Sequence, residues 1–215
     1  MTDTYNNSMG GSPQGCCGKK ESLSTGATME YLGASARAFL EIPWFASDVR
    51  AIAQDPAIRN KATGILEIPL YASFWALLFH RLAHFLHASR IPVLPRLISQ
   101  TARLLTGIEI HPGARIGPGL FIDHGMGTVI GETAIVGSNV LLFHGVTLGS
   151  VDSRAGRRHP EIGDGVIVGA GAKILGAVTV GKGARIGAQS VVLTDIPASA
   201  TAVGIPARVR ERPLA

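Results

Sequence analysis

A chain of 215 residues with 46 % apolar and only 16 % charged residues can bury one sizeable core or two small ones. Its net charge of +5 does not make it a nucleic-acid binder, because the basic residues are scattered, in runs no longer than a pair, without interleaved aromatics. The only cysteines, Cys16 and Cys17, are adjacent, offer no disulfide framework and fit a reducing compartment.

Residues 1–28 are poor in apolar side chains and rich in Gly, Ser, Asn and Thr, the composition of a disordered leader. They hold no apolar stretch of signal-peptide length, and the most apolar run, Ile68 to Phe79, is too short to span a bilayer. A cytoplasmic location away from membranes is therefore expected. From Met29 to Gln54 the apolar residues Leu32, Ala36, Phe39 and Leu40, then Val49, Ile52 and Ala53, keep a helical period broken near Pro43. Asp55-Pro56 marks a boundary at which a further helix begins. Tyr71 to Ala88 and Pro95 to Leu105 each predict one more helix. His80, His84 and His87 share a face of the first of these. Arg81 stands where a zinc hydrolase of the HExxH type needs its glutamate, so we read them as packing or surface histidines and expect no metal.

Beyond residue 107 the pattern changes. Aliphatic residues recur every six positions: Ile110, Ile116 and Ile122; after a two-residue slip, Ile130, Val136, Leu142 and Leu148; and after an excursion over 149–161, Ile162 through Val192. Neither a helix nor an ordinary strand has period six, whereas each side of a parallel β-helix coil does. The fold class is thus α+β, a short helical cap followed by a β-helix. The divisions are a leader at 1–28, a helical domain at 29–106, the β-helix at 107–195 and an extended tail at 196–215. The cap would cover the open edge of the first coil, which is otherwise a template for strand pairing. In the tail, Arg208, Arg210 and Arg212 read equally as solvated charges or as contacts to a phosphate.

Chemistry-bearing residues gather where the hexads are interrupted, as insertions leave the coils of a repeat fold intact. Glu109 precedes His111, Asp123-His124 coincides with the slip, and Arg157-Arg158-His159 closes the excursion. An imidazole beside a carboxylate is a candidate general base, with an unperturbed pKa near ~6.5.

Gly107 to Ala114, Ile122-Asp123-His124-Gly125-Met126-Gly127, Val129 to Thr133, Gly145 to Gly149, Arg158-His159-Pro160, Gly169 to Gly176 and Gly204 to Arg208 together resemble serine O-acetyltransferase, within the left-handed β-helix acyltransferases. Asp48-Val49-Arg50 and Asp55-Pro56-Ala57 extend the resemblance back to about residue 48. The resemblance implies a left-handed helix and acetyl transfer from acetyl-CoA to the L-serine hydroxyl in cysteine biosynthesis. His124 would be the general base and Glu109 its orienting acid. Arg158 and His159 would hold the serine carboxylate, and Asp55 and Asp123 its ammonium. Gly149, Ala170 and Ala188 would let the pantetheine arm of the co-substrate lie against the backbone. It also implies a homotrimer with its site between neighbouring solenoids. Glu109 stands where many members carry Asp, and Gly149-Ser150-Val151 replaces a Gly-Gly-Thr. The ending Pro213-Leu214-Ala215 lacks the isoleucine by which some members dock O-acetylserine sulfhydrylase, so that complex is not expected through the C-terminus.

Two other readings compete. A hexapeptide-repeat acetyltransferase for a sugar or another small acceptor would need fewer fixed charges than Arg158, His159 and Asp55 supply. A non-enzymatic scaffold would have no use for His124 and its acid.

Overall fold

The computed structural model describes residues 44–153 and 155–210. The leader, the first half of the helix expected from Met29, and the last five residues lie outside them. Among the described residues five α-helices come first: α1 (Phe45–Ala53), α2 (Pro56–Arg59), α3 (Gly64–Glu67), α4 (Ala72–Ala88) and α5 (Leu94–Thr106). Asp55 caps α2 by accepting from the Ala57 N–H at 2.7 Å, and Pro56 occupies the first turn, where a missing N–H costs nothing. α5 stops at Gly107, whose left-handed φ of 71° turns the chain into the first strand.

Fifteen short strands follow, β1 (Glu109–Ile110) to β15 (Ala207–Arg210). They sort by threes onto three parallel ladders: face A, β1, β4 (Val129–Ile130), β7 (Thr147–Gly149), β10 (Lys173–Leu175) and β13 (Val191–Val192); face B, β2 (Arg115–Ile116), β5 (Ile135–Val136), β8 (Glu161–Ile162) and β11 (Thr179–Val180); and face C, β3 (Phe121–Asp123), β6 (Leu141–Phe143), β9 (Ile167–Val168), β12 (Arg185–Ile186) and β14 (Thr201–Gly204), with β15 added antiparallel. This is a left-handed parallel β-helix of about five turns, the coil expected from the hexads with the hand that the resemblance implies. Within each ladder the hexad residues stack on one another: Ile110 on Ile130 on Leu148 on face A, Ile116 on Val136 on Ile162 on face B, Ile122 on Leu142 on Val168 on face C. All of these side chains are buried. Withdrawal from water stabilises the fold by roughly 1.5–3 kcal/mol for each.

The residues from 196 onward continue the coil. Ile196 bridges to Val180 and Ala202 in β14 pairs with Ile186, which completes one more turn in the stretch read as an extended tail. The hexad count misses it because Ile196 follows Val192 by four positions and Ala202 is small.

A parallel ladder has a first rung whose outward backbone groups face no strand, and the helices supply their partners on every face. Ser99 in α5 donates to the Ile110 carbonyl on face A at 2.7 Å. Ser73 in α4 accepts from the Ile122 N–H on face C at 3.1 Å. At the B–C edge Arg81 in α4 donates to the carbonyls of Ile116 at 2.5 Å and Gly117 at 2.8 Å. Asp48 in α1 accepts from the N–H groups of Gly119 at 2.9 Å and Leu120 at 3.1 Å. Asp48 and Arg81 also pair with each other at 3.0 Å, both buried. Burial pushes the Asp48 carboxyl up, while Arg81 and the two backbone donors pull it down. Arg81 is therefore structural, which explains its place where a zinc hydrolase would carry glutamate.

Truncating one member of such a pair leaves the other charge buried and uncompensated, at a cost of about 3–5 kcal/mol. Asp48→Ala should lower the urea unfolding free energy by that amount, and an unchanged midpoint would show that the pair does not hold the cap. His80, also in α4, is buried with its Nδ1 unpaired among the described residues, and burial, then the fields of His84 and Arg81, holds it well below its ordinary 6.5. The unfolded chain then takes up a proton near 6.5 that the folded chain refuses, so stability present above that pH is lost as pH falls. Urea titrations between pH 7 and 5 should show this decline, and His80→Phe should flatten it.

Candidate active site

The residues singled out in the sequence fall on two of the three edges of the β-helix. Along the B–C edge every connection between strands has four residues, and a left-handed residue recurs in each: Gly119, Asn139, Gly165, Gly183 and Ser199. The C–A edge carries the slip at 124–128, and the A–B edge carries the excursion that ends at Pro160.

At the slip the chain leaves β3 (Phe121–Asp123) and makes a tight turn, with Gly125 donating to Asp123 at 2.7 Å and Met126 to His124 at 2.9 Å. His124 itself adopts φ 60°, a left-handed conformation that costs a non-glycine residue about 1 kcal/mol or more and clusters at functional sites. Its side chain is 75 % exposed, and its Nε2 lies 3.9 Å from Asp123 Oδ2. The ring of His144, one coil on, stands edge-on with centroids 6.0 Å apart. Beside His124 opens a cavity of about 540 Å³ lined by Asp55, Glu67, Tyr71, Asp123 and Ala72 among others. Three carboxylates, Asp55, Glu67 and Asp123, line it, and Glu67 is paired with Lys61 at 2.9 Å. Burial, with the fields of Asp55, Asp123 and Glu67, pushes the Tyr71 phenol up, so it stays a neutral hydrogen-bonding group. Glu67 and Tyr71 escape a sequence reading because both sit at helix ends, where polar residues are expected anyway.

Glu109 opens β1 on face A. Its carboxylate pairs with two arginines of α5, Arg96 at 3.4 Å and Arg103 at 3.2 Å, while Asp123 is the carboxylate beside the His124 ring. Ala170 and Ala188 lie on the C–A edge one and two coils beyond His144, whereas Gly149 ends β7 on the A–B side.

Arg158 and His159 lie at the A–B edge, across face A from His124, so one chain does not bring the two groups together. Arg158 pairs with Glu132 at 2.5 Å, which holds that carboxyl below its ordinary value. His159 is buried, and burial, then Arg158, lowers its pKa below 6.5. Its ring packs against Gly131, where an added Cβ would fall 2.0 Å from Cδ2 and 2.1 Å from Nε2. His111, in the same corner one coil earlier, has its Nδ1 occupied by the Gly113 N–H at 3.0 Å and its pKa lowered by burial. No group of three or more metal-binding side chains occurs among the described residues, and no helix among them is long and apolar enough to cross a membrane.

A three-sided β-helix with an imidazole at one interrupted edge and a half-buried arginine beside a buried histidine at another is the architecture of a hexapeptide-repeat transferase. The bacterial transferase hexapeptide family (six repeats) indeed matches residues 159–194. The serine acetyltransferase of Synechococcus elongatus is 56 % identical over 165 residues, 76 % of this chain and 66 % of that protein, just under two thirds of its length. That of Helicobacter pylori strain J99 is 56 % identical over 159 residues, 74 % of this chain and 91 % of its own. Soybean serine acetyltransferase, solved in complex with serine, superposes with a TM-score of 0.75 at 39 % identity, covering 86 % of this chain and 76 % of that one. The chain belongs to the serine acetyltransferase family.

Proposed function

We infer that this chain transfers the acetyl group of acetyl-CoA to the hydroxyl of L-serine, releasing O-acetyl-L-serine and free CoA. One observation carries the reading: the exposed His124, in a strained conformation at the ladder's slip, opens onto a cavity walled by Asp55 and Asp123. The carboxylates suit the ammonium of an amino acid, and they leave its hydroxyl within the province of the only imidazole that lines the cavity. His124 takes the hydroxyl proton as the oxygen attacks the thioester carbonyl. The tetrahedral intermediate then collapses, expelling the thiolate, which recovers the proton from the imidazolium. No acyl-enzyme forms, because the alcohol is itself the nucleophile. The pantetheine arm would lie against the small residues Ala170 and Ala188 of the C–A edge, with Gly149 contributed from the A–B side of the neighbouring copy.

The acceptor carboxylate belongs with Arg158 and His159, and their separation from His124 within one chain supports a site shared between copies. In a homotrimer the C–A edge of one solenoid faces the A–B edge of its neighbour, which joins the two halves. Glu109 is our orienting acid, paired with Arg96 and Arg103, and Asp123 is its competitor by proximity.

Free CoA released from acetyl-CoA in the presence of L-serine, but not of a sugar, is the expected activity. His124→Ala should lower its turnover by about 10²–10⁴, and a near-normal rate would remove His124 from its role. Glu109→Gln should cost less, and if Asp123→Asn alone lowers kcat, the orienting acid is Asp123. Because each site draws on two copies, co-refolding inactive His124→Ala with inactive Arg158→Ala chains should restore a fraction of the activity. No recovery in verified mixed trimers would place both halves in one chain.

A further inference from the structure

The Arg158-His159 corner contains a hydroxyl whose hydrogen-bonding capacity is fully used. Thr133, between β4 (Val129–Ile130) and β5 (Ile135–Val136), accepts through Oγ1 from the Arg158 N–H at 3.0 Å and the His159 N–H at 3.1 Å. A hydroxyl has two acceptor positions and one proton. With both acceptor positions filled, the proton goes to the remaining neighbour, His159 Nδ1 at 2.9 Å. The backbone N–H of Thr133 points at the same nitrogen from 3.2 Å. A nitrogen that accepts from both carries no hydrogen of its own, so the ring proton sits on Nε2. The ring has little freedom to escape this, since it packs over Gly131 with no room for even a methyl group between. Glu132, the residue before Thr133, holds the Arg158 guanidinium from the same corner.

We propose that Thr133 is the positioning residue of the acceptor half-site: its hydroxyl fixes the Arg158–His159 peptide and holds His159 as the Nε2–H tautomer, a neutral donor for the acceptor's carboxylate. The opposite tautomer would turn a lone pair toward that carboxylate and repel it. The carboxylate clause rests on the serine reading given above, but the tautomer does not. The residue touches neither the acceptor nor the thioester, so its effect falls on acceptor binding and not on the chemical step.

Two measurements on the full chain test this. Nitrogen-15 NMR of histidine-labelled protein, with the His159 signal assigned through His159→Gln, should show protonation at Nε2 alone; protonation at Nδ1 would overturn the proposal. In steady-state assays Thr133→Val should raise the KM for serine about tenfold, the worth of one or two lost hydrogen bonds. The kcat and the KM for acetyl-CoA should stay within about threefold, and Thr133→Ser should restore the serine KM. An unchanged serine KM in the valine variant, or a loss confined to kcat, would overturn the positioning role. Absence of serine-dependent CoA release from the unaltered chain would overturn the functional reading and the carboxylate clause with it. Release from a chain whose His159 is protonated at Nδ1 would overturn the positioning role alone.

Discussion

The buried pair between Asp48 and Arg81 is where the helical and β-helical parts of this chain become one molecule. Every inner coil finds its hydrogen-bond partners in the coils on either side, but the first coil has a neighbour on one side only. Its outward carbonyls and amides would be buried by the helices without partners, a cost of about 1–3 kcal/mol for each. Asp48 and Arg81 answer four of these groups at the B–C edge, and Ser73 and Ser99 answer one each on the other two faces. An apolar pair in their place would pack but leave those backbone groups unpaired, so here the charges are retained for the bonds they make.

This anchoring also fixes the site. α4 is pinned to the first coil by Ser73 and Arg81, so Tyr71 at its start and Asp55 ahead of it stand at a set distance from β3 and His124. The slip and the excursion then lie on the two edges that border face A, while the B–C edge stays regular. His124 and the Arg158–His159 pair thus stand at opposite borders of one face.

The sequence spells out the solenoid because a period of six has no other common structural meaning, and the slip and the excursion coincide with the candidate residues His124, Arg158 and His159. It conceals whatever depends on partners distant along the chain. Asp48 and Arg81 are thirty-three residues apart, and nothing in the local pattern says that a charged residue on an apolar helix faces a carboxylate and two carbonyls. Thr133 is equally silent, an ordinary threonine in a corner until the excursion folds back onto it. The final coil is missed for a different reason. Ile196 and Ala202 break the spacing and the size rule that reveal the others, although their inward positions are occupied in the same way. Glu109 is legible as a carboxylate at the start of the hexads, but the arginines of α5 that engage it belong to a helix whose placement no spacing rule supplies.

At the far end of the solenoid, β15 runs back against β14 and ends the stacking with a strand of opposite direction bearing Arg208 and Arg210. A stack of identical parallel rungs is the geometry of a cross-β fibre, and in principle each molecule could seed the next end to end. Reversing the last strand presents an incoming parallel rung with the wrong register and two like charges. The helices occupy the other terminus. On face C, therefore, the described chain closes with a strand that a further parallel rung would not match.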